Sequence, residues 1–183
     1  MKALIAVLLE FAGWVDRLNR VFGWIATGFV LLCCLISTGN AFTRYAFSLS
    51  SNAWLEIQWY LFAGIVMLGA AVTLARNEHV RVDVLYGRLP PRGKAWLDLV
   101  GLLIFLMPSM LTLLYFSLPY FLSAWHSHEV SSNDGGLIIW PARLALPLGF
   151  FLVSLQGVAE IIKRIGYLRG EYDMDIHYEK PLQ

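Results

Sequence analysis

The sequence predicts an all-α integral membrane protein with four transmembrane helices, an N-terminal amphipathic interfacial helix and both termini in the cytoplasm. Three observations predict it. Of 183 residues, 58% are hydrophobic and 15% charged, where a soluble globular domain carries roughly 45–50% and about 25%. The charges leave open runs at Val21 to Thr43, Ile57 to Ala75, Leu99 to His128 and Leu144 to Ala159, of 23, 19, 30 and 16 residues, and a helix needs about 20 to cross a hydrocarbon core. Finally, Lys and Arg fall almost entirely on one side of the spans those runs define.

The spans are drawn at about 22–43, 54–75, 97–118 and 140–162, in a single membrane domain over residues 1–183. They contain four charges, Glu56, Asp98, Arg143 and Glu160, all near span ends. The five pieces between and around them hold at most 21 residues each, well under the roughly 40 at which an independent domain becomes hard to stabilise. No separate soluble domain is expected. The net charge of +1 supplies no basic field for nucleic acid.

Before the first span, Leu4, Leu8, Phe11, Val15, Leu18 and Phe22 recur at spacings of four and three, with Lys2, Glu10, Asp16, Arg17 and Arg20 mostly elsewhere. That is the pattern of an amphipathic helix lying in the interface, or packed on a partner, before the chain turns inward. A cleaved signal peptide fits less well, since the apolar stretch Ala3 to Leu9 is short, Glu10 follows it and no A-x-A site is present.

The first segment, the middle loop and the tail carry 12 of the 14 basic residues, leaving Arg44 and Arg143 for the other side. Short basic loops stay cytoplasmic, so the termini and the middle loop are expected inside and the first and third loops outside. The middle loop holds Asn77, His79, Val80, Arg81, Val82 and Asp83. Its Val alternation suggests a strand, but a lone strand would leave its backbone unpaired, so an interfacial turn or short helix is expected. The residues favour a solvated positive-inside anchor over a docking surface in which Arg81 and Asp83 pair with a partner chain. In the third span Pro108 predicts a kink. The third loop, with Ser131, Ser132, Asn133, Asp134, Gly135 and Gly136 flanked by Trp125 and Trp140, predicts an exposed external bend.

Little chemistry follows. Cys33 and Cys34 are adjacent in mid-span, which suits inert packing. His79 is placed inside and His126 and His128 outside, an arrangement that argues against a haem held by two histidines; two external histidines make an incomplete metal site. No G-x-S-x-G, H-E-x-x-H or P-loop pattern occurs, and the reading is of a non-enzyme without cofactors. The span interiors offer mainly uncharged groups such as Ser37, Asn40, Gln58, Thr112 and Gln156, whereas a complete translocation path usually shows ionisable groups or broken helices at mid-depth. A support for another protein is the better reading. Arg44 and Glu56, and Glu160 beside Lys163 and Arg164 at the inner end of span four, are read first as charges snorkelling or capping at the headgroup level, with pairing of Arg44 and Glu56 within the chain or across an interface as the sharper reading.

With spans and loops in place, the chain resembles the small membrane subunit, DctQ type, of tripartite ATP-independent periplasmic (TRAP) transporters. The resemblance rests on Asn77-x-His79-Val80-Arg81-Val82-Asp83 after span two, Gly136-Leu137 before Trp140-Pro141, and Pro147-Leu148-Gly149 with Leu155-Gln156-Gly157 in span four. Residues Gly135 to Glu160 look most like the branch labelled for mannitol or chloroaromatic compounds. The resemblance implies a bacterial inner-membrane protein that partners a large TRAP membrane subunit (DctM type) and an extracytoplasmic solute-binding protein (DctP type). It further implies import of an organic acid on a sodium gradient, with the ion sites in the large subunit and this chain as static scaffold. Arg44, Glu56, Asn77, His79, Arg81, Asp83 and Glu160 are the candidate partner-interface residues. A membrane anchor subunit of a redox complex and a free-standing small transporter are the alternatives.

Overall fold

The computed structural model describes residues 2–49, 51–78, 86, 89–133 and 135–174. Four helices are long and apolar enough to cross a membrane: α1 (Lys2–Phe47), α2 (Asn52–Ala75), α3 (Pro91–Ser127) and α4 (Trp140–Leu168). Outside them, the loop between α3 and α4 carries one antiparallel bridge, Val130 to Ile138.

The N-terminal amphipathic segment forms, but no turn separates it from the first span. Lys2 to Phe47 is one helix of 46 residues, about 69 Å long at 1.5 Å per residue, more than twice the thickness of a hydrocarbon core. The reason lies in α4, which runs far enough to cover the N-terminal half of α1. Ala12 and Val15 of α1 cluster with Ala159 of α4, and a Cβ placed on Gly166 would meet Leu9 at 3.4 Å. The covered stripe is Ile5, Ala12, Val15 and Asn19. It overlaps only in part the stripe of large apolar residues read in the sequence: Val15 is buried and Leu18 and Phe22 pack against the core, while Leu4, Leu8 and Phe11 are exposed. Ala12 and Asn19 fit the close approach to α4, while Leu4, Leu8 and Phe11 face outward.

The other helices gather on α4. Its buried residues Leu152 and Val153 form the main core with Ala26 of α1, Leu68, Ala71 and Leu74 of α2 and Leu102 of α3. Approach is closest at Gly149, where an added Cβ would lie 2.6 Å from the Met67 Cβ and 2.9 Å from its carbonyl oxygen on α2. Gly149→Val is expected to force α2 and α4 apart at a cost of roughly 1–3 kcal/mol or more. Thermal unfolding of the purified variant checks this; an unchanged midpoint would mean that the two helices are free to separate there.

Helix ends follow local chemistry. After α2, Asn77 takes a left-handed φ of 62°, a conformation that Asn tolerates better than most residues. Its N–H donates to the Leu74 carbonyl at 3.1 Å and the Glu78 N–H to the Thr73 carbonyl at 3.1 Å, which closes the helix in a Schellman motif. Gly170, at φ 72°, ends α4 in the same way. In α3, Pro108 does not break the helix. Leu102 to Leu106 form a π-helical turn directly before it, with the Met107 N–H bonded to the Leu102 carbonyl. A proline ring crowds the carbonyl four residues back and offers no N–H, and a widened turn upstream accommodates both.

Candidate functional site: two polar clamps

At the end of the bundle where α1 begins and α4 ends, charged residues from three helices converge around Glu160. Lys163 Nζ donates to Glu160 Oε1 at 2.7 Å and to Asp16 Oδ1 of α1 at 2.8 Å. Arg164 donates from Nη1 to Glu160 Oε2 and from Nη2 to Asp98 Oδ2 of α3 at 3.2 Å. The Tyr86 hydroxyl donates to the same Asp98 oxygen at 3.1 Å. Gln156, with no measurable exposure, donates to Asp16 and Glu160 at 2.8 and 3.0 Å and accepts from Asn19 Nδ2 at 2.7 Å. Glu160 and Arg164 are only 4% and 3% exposed. Charges so buried persist only when each is paired and hydrogen-bonded, and here they are: two cations meet three carboxylates across α1, α3 and α4.

The opposite end has a smaller clamp built on Glu56, in the second turn of α2 and 2% exposed. Its carboxylate accepts from Ser131 Oγ, from Asn133 Nδ2 at 2.7 Å and from the Leu137 backbone N–H at 2.8 Å. One side chain thereby holds the α3–α4 loop against α2. The loop closes on itself through Ser131 N–H to the Leu137 carbonyl at 2.9 Å and Ile139 N–H to the Glu129 carbonyl at 3.0 Å. Gly136 is required inside it, since a Cβ there would strike the Ser131 carbonyl. Arg143 anchors the base, bonding Glu129 at 2.7 Å and lying 4.2 Å over the Tyr120 ring. Trp125 and Trp140 meet edge to face at 4.7 Å beside it.

Neither clamp is built for bond making or metal binding. The carboxylates are engaged by cations and amides, and among the described residues no group of three His, Cys, Asp or Glu is placed to hold a metal ion. What the clamps do is fix helices, leaving long apolar faces uncovered: Trp24, Leu31, Leu35 and Phe42 on α1, Trp59 and Phe62 on α2, and Phe105, Tyr115 and Phe116 on α3 are all exposed.

Comparison with known proteins gives this architecture a family. Residues 33–166 match the family described as tripartite ATP-independent periplasmic transporters, DctQ component. The chain belongs to the DctQ family. It is 26% identical over 155 residues, covering 84% of this chain and 94% of the relative, to a TRAP transporter small permease protein of Haemophilus influenzae that is named as putative. It is also 26% identical over 136 residues, 74% of this chain and 69% of the relative, to the ectoine TRAP transporter small permease protein TeaB of Halomonas elongata. No solved structure matches the chain. The DctQ chain is thus a small TRAP permease subunit, a multi-pass inner-membrane protein and a transport component rather than an enzyme.

The structure separates the residues that sequence grouped as candidate contacts of this DctQ subunit. Glu56 and Glu160 are buried and bonded within the chain, and Glu56 is held by the α3–α4 loop rather than by Arg44. Arg44 and Asn77 are exposed, Asn77 as the residue that stops α2. His79, Arg81 and Asp83 lie outside the described residues. Asp16, Asn19, Asp98 and Gln156 were not singled out as a group, although a signal existed. Ala12, Asp16 and Asn19 on one helix, and Gln156, Glu160 and Lys163 on another, each stand at i, i+4 and i+7, one face of a helix.

Proposed function

We propose that this small permease subunit is the static frame of a sodium-driven TRAP importer for an organic acid. It packs against a large membrane subunit of the DctM type, which holds the substrate and sodium sites. The observation that carries the reading is the pair of clamps. One ties α1, α3 and α4 together by buried charge, and the other ties α2 to the α3–α4 loop. Ionic groups spent on cross-links rather than exposed along a path suit a body that stays fixed while its neighbour moves. The uncovered faces of α1 and α3 offer the neighbour a broad apolar surface.

The distribution of basic residues supports an orientation with both termini in the cytoplasm. The α3–α4 loop then lies on the outer face, where we place the docking of a DctP-type solute-binding protein. Arg44, also at that end, and the Asn77–Asp83 segment that follows α2 in the chain are the remaining candidate contacts. Coexpression tests the frame: the large subunit is expected to copurify with this chain, and uptake to be lost when the chain is deleted. A large subunit that transports at the wild-type rate alone would end the proposal.

A further inference from the structure

Beside the inner clamp, a cleft of about 500 Å³ opens between the start of α3 and the end of α4, lined by Arg92, Trp96, Leu99, Ile165, Leu168 and Arg169. Its composition is divided. Two exposed arginines line it together with one tryptophan and three aliphatic residues. Among the described residues no carboxylate lines it: Asp98, the nearest acid along α3, is engaged by Arg164 and Tyr86, and Glu171 and Asp173 lie in the following tail without lining the cleft. Among the described residues neither Arg92 nor Arg169 has an ion-pair partner. Two exposed arginines lining one cleft, with no anion among the described lining residues, are an unbalanced arrangement.

The backbone adds to the same field. α3 starts at Pro91 with no side-chain cap and no acidic residue in its first turn, so the positive end of the helix is left uncompensated beside Arg92. At α4, the last carbonyls are already taken by the N–H groups of Arg169, Gly170 and Glu171 and offer Arg169 little. Trp96 is 58% exposed one helical turn inward from Arg92, the position an aromatic takes at the boundary between headgroups and acyl chains.

We propose that this cleft binds one anionic phospholipid of the inner leaflet. Its phosphate is bridged by Arg92 and Arg169, and an acyl chain lies along Trp96, Leu99, Ile165 and Leu168. Guanidinium forks match phosphate oxygens, and basic pockets between transmembrane helices on the cytoplasmic side suit anionic headgroups. The wall supplies what a free phosphate has no use for, a continuous apolar surface. The inference rests on the orientation proposed above, which places this end at the inner leaflet.

The test is native mass spectrometry of the full chain, purified with any large subunit that accompanies it, stripped of lipid and titrated with phosphatidylglycerol, phosphatidylcholine or inorganic phosphate. One phosphatidylglycerol per chain is expected, with phosphatidylcholine held far more weakly and phosphate not displacing the lipid. The double variant Arg92→Gln/Arg169→Gln is expected to lose about tenfold or more in retention, the effect of two cations near an anionic headgroup. Arg17→Gln/Arg76→Gln removes the same charge elsewhere and should retain it. All four arginines are exposed and outside the clamps, and the single Arg92→Gln and Arg169→Gln variants are expected to give intermediate losses. Equal retention of phosphatidylcholine, or an unaffected double variant, overturns the proposal. Displacement by phosphate would make the cleft a small-anion site, and loss of lipid whenever the large subunit is bound would make it a protein interface; both also overturn it. Copurification of the large subunit is read in the same preparation, so failure of the frame reading shows separately from failure of lipid binding.

Discussion

Glu160→Ala is expected to lower the thermal midpoint of the purified protein by roughly 10 °C. The substitution removes the acceptor shared by Lys163, Arg164 and Gln156 and leaves two buried cations with one carboxylate each, Asp16 and Asp98. Breaking a buried ion pair from one side costs about 3–5 kcal/mol. The remaining carboxylates favour the lower figure, and a chain of this size shifts by about 2–4 °C per kcal/mol. Glu160→Gln keeps an acceptor in place and should lose less. In the double variant Glu160→Ala/Arg164→Met one of the two under-paired cations is gone, so the loss should fall below the sum of the single losses, the signature of a direct coupling. Midpoints within a degree of the wild type for Glu160→Ala would show that the network does not hold α1, α3 and α4 together.

Glu56→Ala should release the α3–α4 loop while leaving the helices packed. Ser131, Asn133 and the Leu137 amide lose their common acceptor, so the Leu137 amide is expected to exchange with solvent at the rate of an open loop. If the loop receives the binding protein, uptake falls about tenfold with undiminished assembly, because a few side chains must now be ordered at each encounter. Two measurements separate the claims. A Leu137 amide that stays protected would show that Glu56 is not the pin; free exchange with full uptake would remove the loop from the docking surface.

Much of the molecule is legible in its residues because a bilayer imposes a simple demand. Four apolar stretches of adequate length, and a turn of Ser, Asn and Gly, lead to four helices and a bend between the last two without knowledge of any contact. The clamps were less accessible. Glu160 beside Lys163 and Arg164 reads equally well as a set of side chains reaching for the headgroups, and only the approach of Asp16 and Asp98 from other helices makes it a buried network. Glu56 was visible as an isolated charge near the outer end of a span, but its partners lie 75 to 81 residues away in the chain. Separation of that kind leaves no periodic trace.

The order of apolar and charged segments by itself determined that the chain is helical and lies in a membrane, since these depend on transfer free energies summed along single segments. The tertiary structure decided which face of α1 is covered, that α1 continues unbroken into the first span, and which charges are spent on holding helices together. Those outcomes depend on where α4 lies. A helix chooses its neighbour by closeness of fit and by matching polar groups, and small residues such as Ala12 and Gly149 matter there more than the bulky apolar ones that dominate a hydropathy pattern.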